Sequence, residues 1–382
     1  ILKCIKQRII CSGEYIIDKE VGNMRKLTFV IGIMGKGGAE RVIANLANNF
    51  IQDNWEIDII TIYGNRQDYE LNRKIQVHPI ICKSSFRAFR PLERFKELRK
   101  KIREIQPDLV ISFLADVNIH VIISLLGVKQ KLIVSERNDP QRNPEEPWIR
   151  KIRDFLYKNV DGIVFQTPDA KKYFSKINDK KVKTIIIPNP IKENLPYYNK
   201  TTSSKKFITA CRLDKQKNLP LMIDAIGKLI HEGYECELDI YGEGGLKTEL
   251  ESYINHNGLT EFVHLKEFTN KIHEKMQNAA GFVISSDYEG ISNSMLEALA
   301  IGVPVIATDC PVGGARMYLG DRNEIGHLVE CNNLDKLTDA MRRVLLDRES
   351  VVRKAQKGIK LRKELTSKNI SNIWYEYLNQ FF

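Results

Sequence analysis

The stretch LTFVIGIMGKGGAER, residues 27–41, spells out one passage from strand to helix. Its first seven residues are a nearly unbroken apolar run rich in β-branched side chains, the pattern of a strand covered on both faces of a parallel sheet. Gly35, Gly37 and Gly38 then permit a tight turn, and Val42, Ile43, Leu46 and Phe50 recur at helical spacing. The same alternation extends in both halves of the chain. EIDIITI (56–62), DLVISF (108–113), KLIVS (131–135), GIVFQT (162–167) and KTIIIPNP (183–190) read as strands, the last ended by two prolines. A second series begins at KFITACR (206–212) and runs through ELDIYG (237–242), FVHL (262–265), GFVISS (281–286) and VPVIAT (303–308). Strands alternating with amphipathic helices build βαβ units. The expected class is therefore α/β, with two Rossmann-like domains whose carboxyl strand ends face each other across a cleft.

Boundaries follow from composition. The chain of 382 residues suits two domains. Residues 1–23 read as an N-terminal extension outside the native chain, with Met24 as the natural start; they lack the apolar centre and cleavage site of a signal peptide. Residues 24–190 form the first domain. Residues 191–205, with Pro196 and the TTSS run, form a linker, and 206–360 form the second domain. Residues 361–382 are expected to form a helix that packs back on the first domain, as the last of three helices beginning at Leu334. The longest apolar region, Leu109 to Val128, is interrupted by Asp116, Asn118 and His120, so no membrane span is expected. Seven scattered cysteines without a Cys-x-x-Cys pair point to a reduced, cytoplasmic protein with no metal site.

The formal charge of +11 is unevenly distributed: basic and acidic residues number 4 and 3 in 1–23, 30 and 19 in 24–190, and 25 and 26 in 191–382. The basicity thus belongs to the first domain. Within it, Phe86 to Ile105 holds 8 Lys or Arg and 3 Glu, while Phe86, Phe89, Leu92, Phe95, Leu98, Ile102 and Ile105 recur at spacings of 3 and 4. Such a helix suits an anionic membrane surface, on whose inner face the protein would be peripheral. A Rossmann helix packed on its sheet with a solvated basic side satisfies the same pattern. Nucleic acid is disfavoured, because no helix-turn-helix, aromatic RNA-binding signature or zinc finger accompanies the charge.

Three elements carry chemistry. Gly37 and Gly38 precede a helix whose amino end can seat a phosphate, although a ligand-free turn uses the same residues. After the first strand of the second series, Arg212 and Lys217 can neutralise a diphosphate, or form an ordinary surface run. In SSDYEGISNSMLE (285–297), Ser292 is a natural helix cap, and Glu289 and Glu297 flank an amino terminus that can hold an anion while a carboxylate binds vicinal hydroxyls.

In this order and spacing, the Arg-x4-Lys element, the YGEGG loop at 241–245 and the Glu-x7-Glu element resemble the retaining glycosyltransferases of family 4, with the GT-B fold. The resemblance covers the chain from Met24. ISFLADVN (111–118) and SERNDP (135–140) are similar to bacterial enzymes building capsule, exopolysaccharide or lipid-linked N-glycan precursors. It implies a hexose or N-acetylhexosamine transferred from a UDP-sugar to a polyprenyl-diphosphate-linked glycan, with no cofactor. By the same resemblance, Arg212 and Lys217 hold the diphosphate and Glu289 touches the transferred sugar. Glu297 binds the ribose, and Ser292, Asn293 and Ser294 offer amides to sugar and phosphate. Gly37 and Gly38 close from the other domain, Gly242 and Gly244 lie near base and ribose, and Glu136, Arg137 and Asn138 face the acceptor. The sequence contains no Asp-x-Asp, in keeping with a cationic rather than metal-bound diphosphate. Arg137 stands where many relatives have His, and Arg316 where they often have an acid. A sugar-nucleotide epimerase and a non-catalytic sugar-nucleotide binder remain the alternatives at this level.

Overall fold

The computed structural model describes residues 25–53, 55–82, 87–177, 181–320 and 324–382. The expected extension 1–23 lies outside the described residues, as does Phe86. The first sheet contains β1 (Lys26–Ile31), β2 (Glu56–Thr61), β3 (Gln76–Pro79), β4 (Leu109–Phe113), β5 (Leu132–Ser135), β6 (Gly162–Phe165) and β7 (Lys183–Ile186), in the order β3-β2-β1-β4-β5-β6-β7. The second contains β8 (Lys206–Ala210), β9 (Glu237–Tyr241), β10 (Val263–Lys266), β11 (Gly281–Ile284), β12 (Val305–Thr308) and β13 (His327–Val329), in the order β10-β9-β8-β11-β12-β13. These strands pair in parallel throughout. The sequence reading did not anticipate β3 and β13. Both are short edge strands, and β3 ends at Pro79, so neither shows the long apolar run of a central strand.

Both faces of the first sheet are covered, which explains its apolar runs. On one face, Phe29, Ile31, Ile59 and Ile111 share a core with α1 (Gly38–Phe50). On the other, Val30, Ile60, Val110 and Val134 pack with α2 (Arg90–Ile105) and α3 (Ala115–Ser124). The apolar face of α2 is therefore divided. Leu98, Ile102 and Ile105 are buried on the sheet and Phe95 stacks on His120, whereas Phe89 and Leu92 at the head are 58% and 65% exposed. In the second domain, α4 (Asn293–Ile301) lies at the centre of the core, with every residue from Met295 to Ile301 buried.

The stretch 191–205 is not a loose tether. Ile191, Leu195 and Tyr198 are buried, the Ile191 amide donates to the Leu365 carbonyl, and Arg362 donates to the Leu195 and Pro196 carbonyls. Beyond Leu334 the chain forms four α-helices rather than three: Leu334–Leu346, Arg348–Ala355, Leu361–Glu364 and α5 (Ser367–Leu378). The break before α5 carries its own cap, with the Thr366 hydroxyl accepting from the Asn369 amide.

α5 crosses back to the first sheet beside α1. Trp374 is fully buried, its ring 5.8 Å from that of Phe113 on β4. Asn49 of α1 donates to the Ser371 hydroxyl at 2.7 Å, and the Tyr377 hydroxyl donates to the Lys183 carbonyl on β7 at 2.7 Å. The last helix thus completes the core of the first domain. Trp374→Ala is expected to cost about 3–5 kcal/mol, as for other large buried aromatics. Urea unfolding followed by fluorescence measures this; an unchanged midpoint would mean that α5 is not part of that core.

Candidate active site

Parallel sheets bring their carboxyl-end loops to one edge, and in both domains these loops carry the polar residues singled out above. From the first domain comes Gly35–Gly38 after β1. From the second come Cys211–Asn218 after β8, Gly242–Gly245 after β9 and Ser285–Ser292 after β11, which leads into α4.

Close backbone approach fixes these loops. A Cβ on Gly242, whose φ is +157°, would stand 1.8 Å from the Cys211 carbonyl oxygen, and one on Gly244 would stand 2.3 Å from that of Leu213. Only glycine lets the two loops lie against each other. The Cys211–Asn218 loop is also tied to the next one: the Ser285 hydroxyl donates to the Lys217 and Asn218 carbonyls at 2.9 Å each, and Asn218 donates to Asp287 at 2.7 Å.

These ties bring Lys217 to Glu289. The ammonium donates to Glu289 Oε2, which also accepts from the Ser286 hydroxyl at 3.2 Å. Burial opposes the Lys217 charge, but Glu289, Cys211 and Asp214 together offset it and hold the lysine above its ordinary pKa. The pair therefore favours the charged form of Lys217. Arg212 is placed differently: its side chain is 74% exposed and pairs with Asp214 at 3.3 Å. Its charge nonetheless reaches across the boundary to Glu40, where burial raises the carboxyl pKa and Arg212 draws it back.

Glu297 occupies the deepest position. Its Oε1 accepts from Arg41 on α1 at 2.5 Å and its Oε2 lies 2.7 Å from His273 Nε2. Burial would raise its pKa, but His273 and Arg41 hold it below the usual carboxylate range. Arg41 and His273 complete this group, and neither was given a role from the sequence. Arg41 directly follows the Gly-Gly-Ala-Glu run that was, so its place in the first turn of α1 was readable; its partner 256 residues away was not.

Ser292 caps α4, its hydroxyl accepting the Met295 amide, and lies 3.1 Å from the Ser294 hydroxyl, which in turn donates to the Ala210 carbonyl at 3.0 Å. Gly38 abuts this end, since a Cβ there would come within 2.5 Å of the Asn293 side-chain nitrogen. Gly37 accepts at its carbonyl from the Tyr69 hydroxyl at 2.9 Å. Two helix amino termini, of α1 and α4, therefore converge near a buried lysine, a setting that favours a multiply charged anion.

The three residues expected at the acceptor are placed apart. Glu136 is interior, 1% exposed, and accepts from the Tyr157 hydroxyl at 3.0 Å; burial raises its pKa. It belongs to a buried chain through Asn118 and Ser112 rather than to an open surface. The Asn138 side chain accepts its neighbour's amide at 2.8 Å. Arg137 lies over the rings of Phe113 and Trp374, at 4.6 and 5.8 Å, and donates to Asn189 at 2.7 Å. Asn189 donates to Asn293 at 2.7 Å, so Arg137 acts on α4 through one intermediary. Arg316 pairs with Asp309 at 2.5 Å.

Among the described residues, Glu237, Asp239 and His264 have the spacing of a metal cluster. Lys206 already pairs with both acids, at 2.9 and 3.5 Å. Glu237 and Lys206 open their strands, at the sheet end away from the loops above.

Two family models match the chain: Glycosyltransferase Family 4 over residues 36–195 and Glycosyl transferases group 1 over residues 191–361. The chain is 31% identical over 356 residues to N-acetylgalactosamine-N,N'-diacetylbacillosaminyl-diphospho-undecaprenol 4-alpha-N-acetylgalactosaminyltransferase of Campylobacter jejuni, covering 88% of this chain and 93% of that one. It is 27% identical over 354 residues to the alpha-1,4-N-acetyl-D-galactosaminyltransferase of the same organism that acts on GalNAc-alpha-(1->4)-GalNAc-alpha-(1->3)-diNAcBac-PP-undecaprenol, covering 88% and 94%. Among solved structures, Anabaena HepE in complex with UDP and glucose superposes with a TM-score of 0.76 at 16% identity, over 93% of this chain and 100% of that one.

Arg41→Ala is expected to destabilise the chain by about 3 kcal/mol, because it leaves a buried carboxylate with one partner fewer and removes an ion pair between the domains. Urea unfolding gives the loss and small-angle scattering the domain separation. A variant equal to the parent in both would show that the pair does not hold the domains together.

Proposed function

The chain belongs to the GT-B glycosyltransferases of family 4, and from that membership we propose a retaining enzyme that moves a hexose or N-acetylhexosamine from a UDP-sugar to a membrane-associated, lipid-linked glycan in capsule, exopolysaccharide or O-antigen synthesis. The observation that carries this reading is the buried Lys217–Glu289 pair beside the amino end of α4. A nucleoside diphosphate seated there meets a fixed cation and a helix terminus at its phosphates, and a carboxylate at the sugar.

In this reading the anomeric C–O bond to the diphosphate breaks, and negative charge grows on the leaving oxygen beside Lys217. A preorganised donor at such a position contributes roughly 3 kcal/mol to the transition state. Arg212, exposed and close to Glu40, closes on the outer phosphate. The acceptor hydroxyl attacks from the face the diphosphate leaves, and its proton passes to the departing phosphate oxygen, so configuration is retained. Glu289 orients the sugar. Glu297 serves the ribose hydroxyls once donor binding relaxes its bond to Arg41. Cations rather than a metal ion neutralise the diphosphate, so activity is expected to survive EDTA.

The acceptor side of the proposal rests on charge and on the relatives' substrates. Residues 24–190 carry the whole excess charge, and the exposed Phe89 and Leu92 sit at the head of basic α2. Such a surface suits an anionic bilayer that holds a polyprenyl diphosphate, on the cytoplasmic face. No helix among the described residues is long and apolar enough to cross a membrane, and the contact proposed is peripheral.

Lys217→Ala is expected to cut turnover about a hundredfold or more with the fold retained. Transfer of label from UDP-sugars into the lipid fraction of bacterial membrane extract measures this, and full activity in the variant would remove the leaving-group role. Replacing Lys96, Lys100, Lys101 and Arg103 by Glu is expected to weaken binding to anionic vesicles, at about 1 kcal/mol per basic residue, and to flatten its salt dependence. Unchanged sedimentation with vesicles would overturn the membrane assignment.

A further inference from the structure

Two thiols meet beneath the loop that carries Glu289. β12 and β13 run in parallel with Thr308 opposite Val329, and the Asp309 amide continues the ladder to the Val329 carbonyl at 2.7 Å. Cys310 and Cys331 each stand two residues beyond that last pair, so they occupy matching places on adjacent strand ends. Neighbouring strands lie about 5 Å apart, inside the Cα separation of roughly 4.4–6.8 Å that a disulfide spans.

Both sulfurs converge on one atom. Cys310 Sγ lies 3.2 Å and Cys331 Sγ 3.9 Å from the Ser286 carbonyl oxygen, which also accepts from the Thr308 hydroxyl at 2.6 Å. Ser286 is the residue whose hydroxyl donates to Glu289. Access is unequal. Cys310 is 2% exposed, whereas Cys331 lines a cleft of about 760 Å³ with Asp287, Tyr288, Asp309 and Pro311. The proximity of the two thiols raises the pKa of Cys310 and lowers that of Cys331, which favours the accessible sulfur as the nucleophile.

We propose that Cys310 and Cys331 are a reversible thiol–disulfide pair, oxidised by hydroperoxides, whose closure takes both thiol donors from the Ser286 carbonyl, leaves it the Thr308 hydroxyl alone, and loosens the loop to Glu289. The Cys331 thiolate attacks a peroxide oxygen, the O–O bond breaks, and a sulfenic acid and an alcohol or water result. The Cys310 sulfur then displaces hydroxide from that sulfenic acid, forming the S–S bond and water. In total, two thiols lose two protons and two electrons, and one hydroperoxide is reduced. A dithiol reductant reverses the step.

The predicted effect on the donor rests on the role given to Glu289 above; formation of the disulfide does not. The full chain is treated with one equivalent of hydrogen peroxide, alkylated and digested without reduction. A peptide joining 310 to 331 is expected, together with faster hydrogen exchange at amides 286–290. UDP affinity measured by calorimetry is expected to fall about tenfold, as for one lost net hydrogen bond, and to return with dithiothreitol. Cys310→Ser and Cys331→Ser should each bind UDP as the reduced parent does and lose the peroxide response. Other pairings in place of 310–331, or a crosslink that leaves exchange at 286–290 unchanged, would overturn the proposal. Should the reduced parent bind no UDP, the donor assignment falls, and the crosslink and exchange data still decide the thiol pair.

Discussion

A guanidinium held against two aromatic rings links the end of the chain to the site. Arg137, after β5, lies over Phe113 of β4 and Trp374 of α5, so the last helix, the first sheet and the SERND loop share one contact. Burial pushes the Arg137 pKa down to about 9, partly offset by Glu136, and it remains a cation at neutral pH. A cation so placed has to spend its hydrogen bonds in fixed directions. One goes to Asn189, which also accepts from Gln166 at 2.8 Å and passes a bond to Asn293 at the start of α4. Docking of residues 367–378 on the first domain thereby bears on the orientation of a helix terminus in the second.

A second cross-domain tie sits deeper. Arg41 and His273 grip the two oxygens of Glu297, leaving a charged carboxylate where the protein interior would otherwise disfavour one. Lys217 and Glu289 form a comparable pair a short way along the same α4 approach. Each pair joins loops from different parts of the fold, so the site's electrostatics and the placing of its parts have one origin. The net charge of the second half is close to zero because its 25 basic and 26 acidic residues balance, while the basic surplus of the first domain is spread along exposed helix faces such as α2.

Much of this was legible in the residues. Apolar runs separated by amphipathic stretches give β1 to β12, apart from β3, of two covered parallel sheets, because covering both faces leaves no polar side for alternation. Gly242 and Gly244 stood out, and the structure supplies the reason in the carbonyls of Cys211 and Leu213. The edge strands β3 and β13 escaped notice, since a strand of three or four residues with one neighbour needs little apolar length. Residues 191–205 read as a linker because they are polar and contain proline, yet Ile191 and Leu195 are held by Leu365 and Arg362 and Tyr198 by Ile301, which lie far along the chain.

The sequence by itself determined which segments become strand, turn or helix, where the charge surplus lies and which loops carry cations, carboxylates and glycines. Those properties are local, set by spacing and side-chain chemistry over a few residues. Only the tertiary structure decided who meets whom: that Glu297 answers to Arg41 and His273, that Lys217 is buried while Arg212 stays in solvent, that Glu136 turns inward, and that two distant thiols share the Ser286 carbonyl. Each of these depends on strand order and on the packing of distant loops and helices, and pairings across tens to hundreds of residues leave no periodic trace in the chain.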